Sequence, residues 1–394
     1  MRKLLAALLA AIMIICALPA FSESPSLQEK YEELAVKVAQ TIARYGSDDA
    51  NLSRPDYFAK DSEALKTLKS FDSGWFTKTE RRIFSEARTD NWVALSDTEF
   101  QTDVYFDYTI HYLYYGKVET FHCAYRLVFR QTNSRSDTWQ LVDFSNLPTV
   151  QDEEYAAHFT DTLEGISVYP VTGKCFTGFM AVIDDPSRVY VGTIDYFGSN
   201  AEGLRIDALS DKYKAVGGIN GGGFNDTAGS GNGGQAKGLI ITQGTQKNAY
   251  SNRYAECAIA IGFDANDRLI VGKFDTINDL GLRDAMAFNQ ALVIDGENVA
   301  SSGKKPLYTA RTAIGQDADG RVLMLVVKGR EPDSLGASFE NLAEVMLSYG
   351  AVNAANLDGG TSTTLYLNKE SVYSGYRLDV SRKIPAAFLI KPIE

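Results

Sequence analysis

The hydrophobic positions of this 394-residue chain repeat first with a helical period and then with the period of a strand. Apolar side chains recur every three or four positions between residues 26 and 45, and Ser26 and Glu29 have the spacing of a capping box. Since this period places apolar groups on one face, it predicts an amphipathic helix. Shorter helical patterns predict two more helices near residues 61–70 and 77–88.

Alternation of apolar and mostly polar residues follows. Residues 104–114 and 121–129 both alternate in this way around Gly116, which predicts a long antiparallel hairpin, and residues 139–144 supply a further strand. Helices followed by a curved antiparallel sheet predict an α+β accessory domain over residues 25–147. This order of elements resembles the cone-shaped nuclear-transport-factor-like fold.

The rest of the chain is rich in short strand patterns. Residues 148–165 are acidic and begin with little apolar periodicity, so we interpret them as a linker. From residue 166 short β-rich runs separated by turn residues dominate, and residues 338–348 form the one clear helical pattern. A strand-rich mixed α+β domain is therefore predicted over residues 166–394.

The first residues have the pattern of an export signal. A positive start is followed by an uncharged apolar run over residues 4–20, and Ala20 and Ser22 are small residues at the positions that determine cleavage. This predicts a signal peptide over residues 1–22 and a secreted or extracytoplasmic protein of the cell envelope. The alternative is an uncleaved anchor, although the run is shorter than the roughly 20 residues that span a bilayer. Only in that case do we expect membrane contact.

Composition excludes several classes of function. The net charge is -11 and there is no run of Lys or Arg, which argues against a nucleic-acid surface. The three histidines are His111, His122 and His158, so a Ser-His-Asp triad, a Cys-His pair or a His-ligated zinc cannot form from residue 159 onward. After cleavage Cys123, Cys175 and Cys257 remain without CxxC spacing, and we interpret them as buried or free thiols.

Two glycine-containing segments are candidates for a ligand site. In residues 216–226, VGGINGGGFND, a short apolar strand ends in glycines around Asn220. In residues 356–364, NLDGGTSTT, an Asn and an Asp precede a glycine pair and four hydroxyl residues. Both layouts let backbone N–H groups approach an oxyanion. A tight turn explains the first segment equally, and an Asx turn capped by Asp358 explains the second.

Two arginines and the order of five short segments give further evidence on the kind of ligand site. Arg311 stands just before a strand pattern and Arg330 ends one, and a guanidinium at a strand end suits phosphate, although each alone is also an ordinary surface charge. The segments INGGGF, GLI, ARTAIG, KGR and NLDGGTST occur in the order and approximate spacing of the phosphodiester glycosidase family, which the chain resembles from about residue 170 to its end.

The resemblance implies a hydrolase that cleaves the glycosidic bond of a sugar-1-phosphodiester in a cell-surface glycan or exopolysaccharide. By similarity Asp358 is the catalytic carboxylate, Arg311 and Arg330 bind the phosphate, and Asn220 and Asn356 bind sugar hydroxyls. The full set of substrate-binding residues carried over is Asn220, Gly221, Gly222, Phe224, Arg311, Arg330, Asn356, Gly359, Gly360, Ser362 and Thr363.

A second catalytic carboxylate is predicted at Asp226, with Glu340 as the other candidate, although a helix charge on Glu340 is the simpler interpretation. The chain departs from the commoner family pattern at Thr361, where a third glycine is frequent, and at Gly223, where a second aromatic residue often occurs. Both departures bear on loop shape and sugar preference.

Other functions remain open at this stage. The same residues would serve a secreted carbohydrate- or polymer-binding module without turnover, and a structural envelope protein is a third interpretation. Neither a cofactor nor an obligatory metal is expected, since no EF-hand-like spacing accompanies the oxygen ligands. The expected partner is a glycan or sugar-phosphate substrate.

Overall fold

The computed structural model describes residues 25–47, 55–70, 79–112, 116–133, 137–226, 231–248, 258–273, 281–303, 307–376 and 380–393. The predicted signal peptide, residues 1–22, and Cys257 lie outside these ranges. Within them, no helix combines the length and the apolar content that a bilayer crossing needs.

Within its described residues, the N-terminal part, 25–147, consists of two α-helices packed on a five-stranded antiparallel sheet. The elements are α1 (Leu27–Ser47), α2 (Glu63–Ser70), β1 (Thr79–Phe84), β2 (Arg88–Ser96), β3 (Glu99–Tyr112), β4 (Val118–Asn133) and β5 (Thr138–Asn146). The strand order is β1-β3-β4-β5, and β2 also pairs with β3. This confirms the first helix, the hairpin and the following strand.

The ends of these elements show where sequence patterns hold and where they fail. The capping box of α1 is present, because Ser26 N–H donates to Glu29 Oε2 at 2.7 Å and Glu29 N–H donates to Ser26 Oγ at 3.2 Å. The helix predicted near residues 77–88 is wrong: β1 occupies this segment and pairs with β3. The apolar pattern of this segment is short and has no clear period, so pairing with a neighbouring strand determines its conformation.

The segment interpreted as a linker contains a helix. Helix α3 (Val150–Thr162) begins with a capping box between Thr149 and Asp152. Its buried residues are Ala156 and Phe159, which pack into the core of the C-terminal part. With only two apolar anchors the helix leaves a weak periodic signal, so residues 150–162 are an ordered helix instead of an irregular linker. The domain boundary at this point stays a prediction.

In the described residues of the C-terminal part, 166–393, the chain forms three antiparallel sheets and two α-helices. Its strands are β6 (Ile166–Gly173), β7 (Phe176–Ile183), β8 (Val189–Thr193), β9 (Gly217–Asn220), β10 (Ile240–Thr242), β11 (Thr245–Asn248), β12 (Ala258–Phe263), β13 (Leu269–Lys273), β14 (Asp284–Asn289), β15 (Ala291–Ile294), β16 (Glu297–Asn298), β17 (Arg311–Asp317), β18 (Val322–Val327), β19 (Ala351–Asn356), β20 (Thr364–Leu367), β21 (Glu370–Ser374) and β22 (Ala386–Ile390). The helices are α4 (Ile206–Tyr213) and α5 (Phe339–Ser348).

The strand order places β9 and β19 in different sheets that share one core. A seven-stranded sheet runs β16-β15-β19-β17-β18-β7-β6, and the two five-stranded sheets run β21-β20-β9-β22-β8 and β11-β10-β14-β12-β13. Ile219, Ile314 and Phe388, one from each of three strands, are fully buried in the same cluster. The fold is α+β, as predicted, whereas the cone-shaped resemblance of the N-terminal part stays a prediction.

The N-terminal and C-terminal parts are in direct contact. Asn146 Nδ2 donates to the Asp333 carbonyl at 2.6 Å, and the Tyr125 hydroxyl donates to the Pro332 carbonyl. Cys175 and Leu335 of the C-terminal part belong to the hydrophobic cluster of the N-terminal sheet. The sheet therefore packs on the loop that follows β18.

Candidate active site

Strands β9 and β19 end side by side, and the residues that follow them form the candidate site. The Asp358 N–H donates to the Gly221 carbonyl at 3.1 Å, and the Leu357 N–H donates to the Thr312 carbonyl at 2.8 Å. Because β19 pairs with β17, the turn after β19 also runs past Arg311. The structure thus brings together the INGGGF, ARTAIG and NLDGGTST segments.

Asn220 is the buried connector of these segments. Its Oδ1 accepts hydrogen bonds from Thr312 Oγ1 at 2.7 Å and from the Thr364 N–H at 3.0 Å. Its Nδ2 donates to the Asp358 carbonyl at 2.7 Å and to the Gly221 carbonyl at 3.4 Å. The side chain is fully buried and its amide is satisfied. Asn220 therefore positions the site, and the predicted contact with a sugar hydroxyl has no unused group to make it.

Asp358 is half-buried at the centre of the site, and its environment favours the protonated form. Burial raises the pKa of the Asp358 carboxyl to about 6, against the lowering effects of the Ser362 hydroxyl, the Gly359 N–H and Arg382. The charge of Asp226 raises it further. A carboxyl poised near neutral pH suits proton transfer or nucleophilic attack at the operating pH.

Arg382 favours the ionised form of the Asp226 carboxyl, whereas the surroundings of Asp358 favour its protonated form. Arg382 Nη1 donates to Asp226 Oδ2 at 2.8 Å and Nη2 donates to Oδ1 at 3.0 Å, while the Gly231 N–H donates to Oδ1 at 2.8 Å. The hydrogen bonds from Arg382 lower the pKa of the Asp226 carboxyl. Asp226 stays ionised, which excludes it as a general acid near neutral pH and makes it an electrostatic neighbour of Asp358.

Arg382 is the site residue that sequence reasoning missed. Besides Asp226, it donates to Thr361 Oγ1 at 3.2 Å, and its guanidinium lies 5.0 Å from the centre of the Phe224 ring. It is only 8% exposed. The single signal in the sequence is a lone Arg shortly before the last strand, and spacing alone does not connect it with Asp226, 156 positions away.

Arg311 and Arg330 lie close enough to each other for their charges to interact. Arg311 is 7% exposed; its Nε donates to the Ala337 carbonyl at 3.1 Å and its Nη2 to the Leu307 carbonyl at 2.7 Å. Burial and the nearby Arg330 charge lower the pKa of the Arg311 guanidinium to about 10. Two cations kept close together favour an anion between them.

Arg330 also has a strained backbone. Its φ is 61°, in the left-handed region that costs a residue with a side chain about 1 to 2 kcal/mol. Its N–H donates to the Leu335 carbonyl at 3.2 Å, which fixes the bend after β18.

The glycines are required by close packing instead of by exposed N–H groups. A Cβ on Gly221 would lie 2.4 Å from Met286 Sδ, and one on Gly222 would lie 2.5 Å from the Ala287 carbonyl oxygen. The Gly359 N–H donates to Asp358 Oδ1 at 3.1 Å, and the Gly360 N–H donates to the Ala310 carbonyl at 2.8 Å. The expectation that Gly359 and Gly360 offer their N–H groups to an oxyanion is therefore wrong.

The remaining carried-over residues lie beneath the turn. Asn356 is 1% exposed, and Ser362, Thr363 and Phe224 are buried as well. Asn356 Oδ1 and Thr363 Oγ1 have no hydrogen-bond partner within the described ranges. In this arrangement Asn356 supports the turn from below and does not present its amide to the surface, contrary to the predicted contact with sugar.

Glu340 and metal ligation complete the account of candidate residues. Glu340 Oε1 accepts from the Ser302 N–H at 2.6 Å, and although burial raises its pKa, the Ser302 hydrogen bonds lower it to about 2. Glu340 thus fixes a loop to α5. In the part of the chain that the structure describes, no group of three His, Cys, Asp or Glu residues could hold a metal ion.

Asp226, Asp358 and Arg382 thus form an electrostatically coupled group beside the turn that Arg311 borders. Residues 213–391 match the model of the phosphodiester glycosidase family.

Individual proteins are also similar to parts of this chain. The chain is 27% identical over 188 residues to the SPbeta prophage-derived uncharacterized protein YomE of Bacillus subtilis (strain 168), which covers 45% of this chain and 27% of that protein. It is 43% identical over 62 residues to N-acetylglucosamine-1-phosphodiester alpha-N-acetylglucosaminidase of Bos taurus, which covers 16% of this chain and 12% of the enzyme.

Among the solved structures that are similar to this chain in part is a catalytic domain. It is the zebrafish N-acetylglucosamine-1-phosphodiester alpha-N-acetylglucosaminidase catalytic domain, auto-inhibited by its pro-peptide. It is 21% identical to this chain with a TM-score of 0.46, and the match covers 58% of this chain and 82% of that chain.

Proposed function

We propose that this protein is a secreted hydrolase that cleaves the glycosidic bond of a sugar-1-phosphodiester in a cell-surface glycan or exopolysaccharide. The observation that carries the proposal is the placement of Asp358. Its carboxyl has a pKa raised to about 6, is influenced by the charges of the Asp226–Arg382 pair, and belongs to the turn that Arg311 borders. The family of residues 213–391 supports the same class of reaction.

In the proposed reaction the ionised Asp358 acts on the anomeric carbon or on the water that attacks it. The bond between the anomeric carbon and the phosphate oxygen breaks, and its electron pair leaves on that oxygen. If water attacks, Asp358 takes the proton from it; if Asp358 attacks, water then cleaves the glycosyl ester. The products are a free sugar and a phosphomonoester.

The leaving group explains why an ionised Asp226 is compatible with this chemistry. A phosphomonoester leaves as a stable anion, so the reaction does not need a second carboxyl to protonate the departing oxygen. The Asp226 charge instead raises the pKa, and with it the basicity, of Asp358. Arg382 keeps that charge in place through its two hydrogen bonds.

In this proposal the phosphate of the substrate binds to Arg311 and Arg330. Within the described ranges Arg311 donates hydrogen bonds through Nε to the Ala337 carbonyl and through Nη2 to the Leu307 carbonyl, so that Nη1 remains for the phosphate. A Cβ on Gly359 would lie 3.7 Å from Arg311 Cδ, so Arg311 borders the turn that carries Asp358. A phosphate on Arg311 and Arg330 would place the anomeric carbon next to Asp358.

The experiment is an assay of sugar released from an N-acetylglucosamine-1-phosphodiester and a panel of other sugar-1-phosphodiesters by residues 23–394. We expect release by the wild type and a loss of at least about 100-fold in Asp358→Asn. Asp195→Asn is the matched control, because the Asp195 side chain is 86% exposed and lies outside the site. Export is tested separately by locating the protein in cell fractions and sequencing its N-terminus.

The alternative is a secreted carbohydrate-binding module that uses the same pocket without turnover. The buried position of the Asn356 and Thr363 side chains is equally compatible with binding alone. If no diester of the panel releases sugar while wild type and Asp358→Asn bind the diester equally, the protein is a binder and the hydrolase proposal is rejected.

A further inference from the structure

A concave site lies between the N-terminal and C-terminal parts of the chain. This accessory cleft has a volume of about 340 Å³, within the range of small-molecule pockets. Its walls are residues 117–122 at the start of β4, Asp152 on α3, residues 328–333 after β18, and residues 371–376. The walls at 117–122 and Asp152 lie outside the family match, which begins at residue 213.

Carboxylates outnumber the cationic side chains of the accessory cleft, where His122 also lies with its Nδ1 2.8 Å from Asp107 Oδ1. Two ammonium groups face four carboxylates, and both are already paired: Lys328 Nζ donates to Asp333 Oδ2 at 3.0 Å and to Asp152 Oδ1 at 3.3 Å, and Lys117 Nζ lies 3.1 Å from Glu119 Oε1. The four carboxylates that line the accessory cleft are Glu119, Asp152, Glu331 and Asp333. An excess of negative charge repels a phosphate and attracts hydroxyl or ammonium donors.

Two of these carboxylates have an acceptor without a partner. Asp333 is 5% exposed, and its Oδ1 makes no hydrogen bond within the described ranges. On the opposite wall Glu119 Oε2 likewise lacks a partner there. Both oxygens are buried, and because an unsatisfied buried acceptor costs about 1 to 3 kcal/mol, a rotation of either carboxylate toward a ligand's donor would be favourable.

Aromatic rings complete the lining. Tyr373, Tyr376 and Phe121 border the accessory cleft together with the hydroxyl residues Ser371 and Ser374. Rings beside clustered acceptors suit a ligand that has both apolar C–H faces and many hydroxyl donors. A sugar has both features.

The accessory cleft adjoins the candidate active site through one segment. The Gly375 N–H donates to the Thr363 carbonyl at 2.8 Å, and a Cβ on Gly375 would lie 2.2 Å from the Gly360 carbonyl oxygen. Residues 371–376 therefore have the NLDGGTST turn on one side and the accessory cleft on the other. Lys328 and Arg330, two residues apart, likewise contact one site each.

We propose that the accessory cleft binds an uncharged or amine-bearing sugar unit of the substrate beyond the phosphodiester, so that the protein acts on oligomeric glycans through a subsite shared by its two parts. This inference rests on the proposed function, because it takes the bound sugar to be part of a substrate that the protein cleaves. Sugar binding in the accessory cleft can nevertheless be tested without any cleavage.

The test measures binding of phosphate-free tetrasaccharides by calorimetry in the Asp358→Asn background. The probes are tetramers of glucose, mannose, N-acetylglucosamine and glucosamine. We expect at least one to bind, with affinity at least about tenfold weaker in Tyr376→Ala and unchanged in Tyr196→Ala, a control at a 65% exposed tyrosine. We expect the glucosamine tetramer to bind most tightly at low salt and to lose this advantage in Glu119→Gln.

Binding of none of the four tetramers, or binding that neither Tyr376→Ala nor Glu119→Gln weakens, overturns the inference. Glu119→Gln keeps the size of the side chain and serves as the second probe if Tyr376→Ala does not fold. The two proposals fail separately: an accessory cleft that binds sugar in a protein that cleaves no diester rejects the hydrolase alone, whereas full cleavage of a small diester without tetramer binding rejects the subsite alone.

Discussion

Arg382 and Asp226 face each other through two parallel hydrogen bonds, 2.8 Å from Nη1 to Oδ2 and 3.0 Å from Nη2 to Oδ1. This pair separates the titration of the two carboxyls in the site. The hydrogen bonds from Arg382 lower the pKa of Asp226, while burial, with the charge of Asp226 added, raises the pKa of Asp358 to about 6. Two carboxyls driven apart in this way take different roles.

The first prediction concerns the pH dependence of kcat/KM. The active form of Asp358 is ionised, so activity on a sugar-1-phosphodiester should rise with pH through a limb at about 6. In Arg382→Gln the limb should move to higher pH, because Asp358 loses a favourable charge and keeps the unfavourable charge of Asp226. Initial rates between pH 4 and pH 9 measure the limb.

The double variant Asp226→Asn/Arg382→Gln is the control for this prediction. It removes both charges, so its limb should lie below that of Arg382→Gln alone. A limb that stays in place in Arg382→Gln would contradict electrostatic coupling between Arg382 and Asp358, whatever happens to the absolute rate.

The second prediction concerns folding stability. The folded-state pKa of Asp358, about 6, exceeds the unfolded value of about 4, so between these values the folded state keeps a proton that the unfolded state releases. Stability therefore falls as pH rises from 4 to 6, by on the order of 2 to 3 kcal/mol. Asp358→Asn should be more stable than wild type at pH 7.5 and should lose this advantage at pH 4.

Urea unfolding of both proteins at the two pH values measures the difference. The Asn side chain keeps the acceptor for the Gly359 N–H, so the comparison isolates the charge. If Asp358→Asn lowers the free energy of unfolding equally at both pH values, the Asp358 carboxylate contributes through packing, and its charge does not destabilise the folded state.

Sequence predicted the elements with strong periodicity and the polar residues at strand ends. The hairpin of β3 and β4 and helix α5 were found because their apolar positions repeat over many residues. The 77–88 segment and α3 were missed because each carries few apolar anchors, and neighbouring strands decide their conformation.

The sequence predicted which residues belong to the candidate site better than it predicted what each residue does there. Asn220 and the glycines were identified as functional from their residue types, yet their hydrogen bonds and close contacts are internal to the protein. Arg382 was missed because its partner Asp226 is distant in sequence. Residue type indicates which groups a site requires, but only the fold shows whether those groups face a ligand or each other.

The third prediction uses the strain at Arg330. Arg330→Gly removes the phosphate-binding guanidinium and relieves a φ of 61°, so KM for the diester should rise by about tenfold or more while stability stays within about 1 kcal/mol of wild type. Lys369→Gly is the matched control, since Lys369 also has a positive φ, 66°, in an exposed turn between β20 and β21. Lys369→Gly should leave KM unchanged, and an equal rise in both variants would reject the role of Arg330.

The fourth prediction separates positioning from catalysis at Asn220. Asn220→Ala leaves the Thr312 hydroxyl, the Thr364 N–H and the Asp358 carbonyl without their buried partner, so we expect a loss of about 2 to 4 kcal/mol in unfolding free energy together with a fall in kcat. Asn225→Ala is the control, because Asn225 is an exposed amide only five positions further along the chain. If Asn220 instead contacted a sugar, its loss would raise KM and leave the unfolding midpoint in urea near that of Asn225→Ala. Because the buried amide joins strand ends from different sheets, we expect the opposite: a lower midpoint and an unchanged KM in the fraction that remains folded.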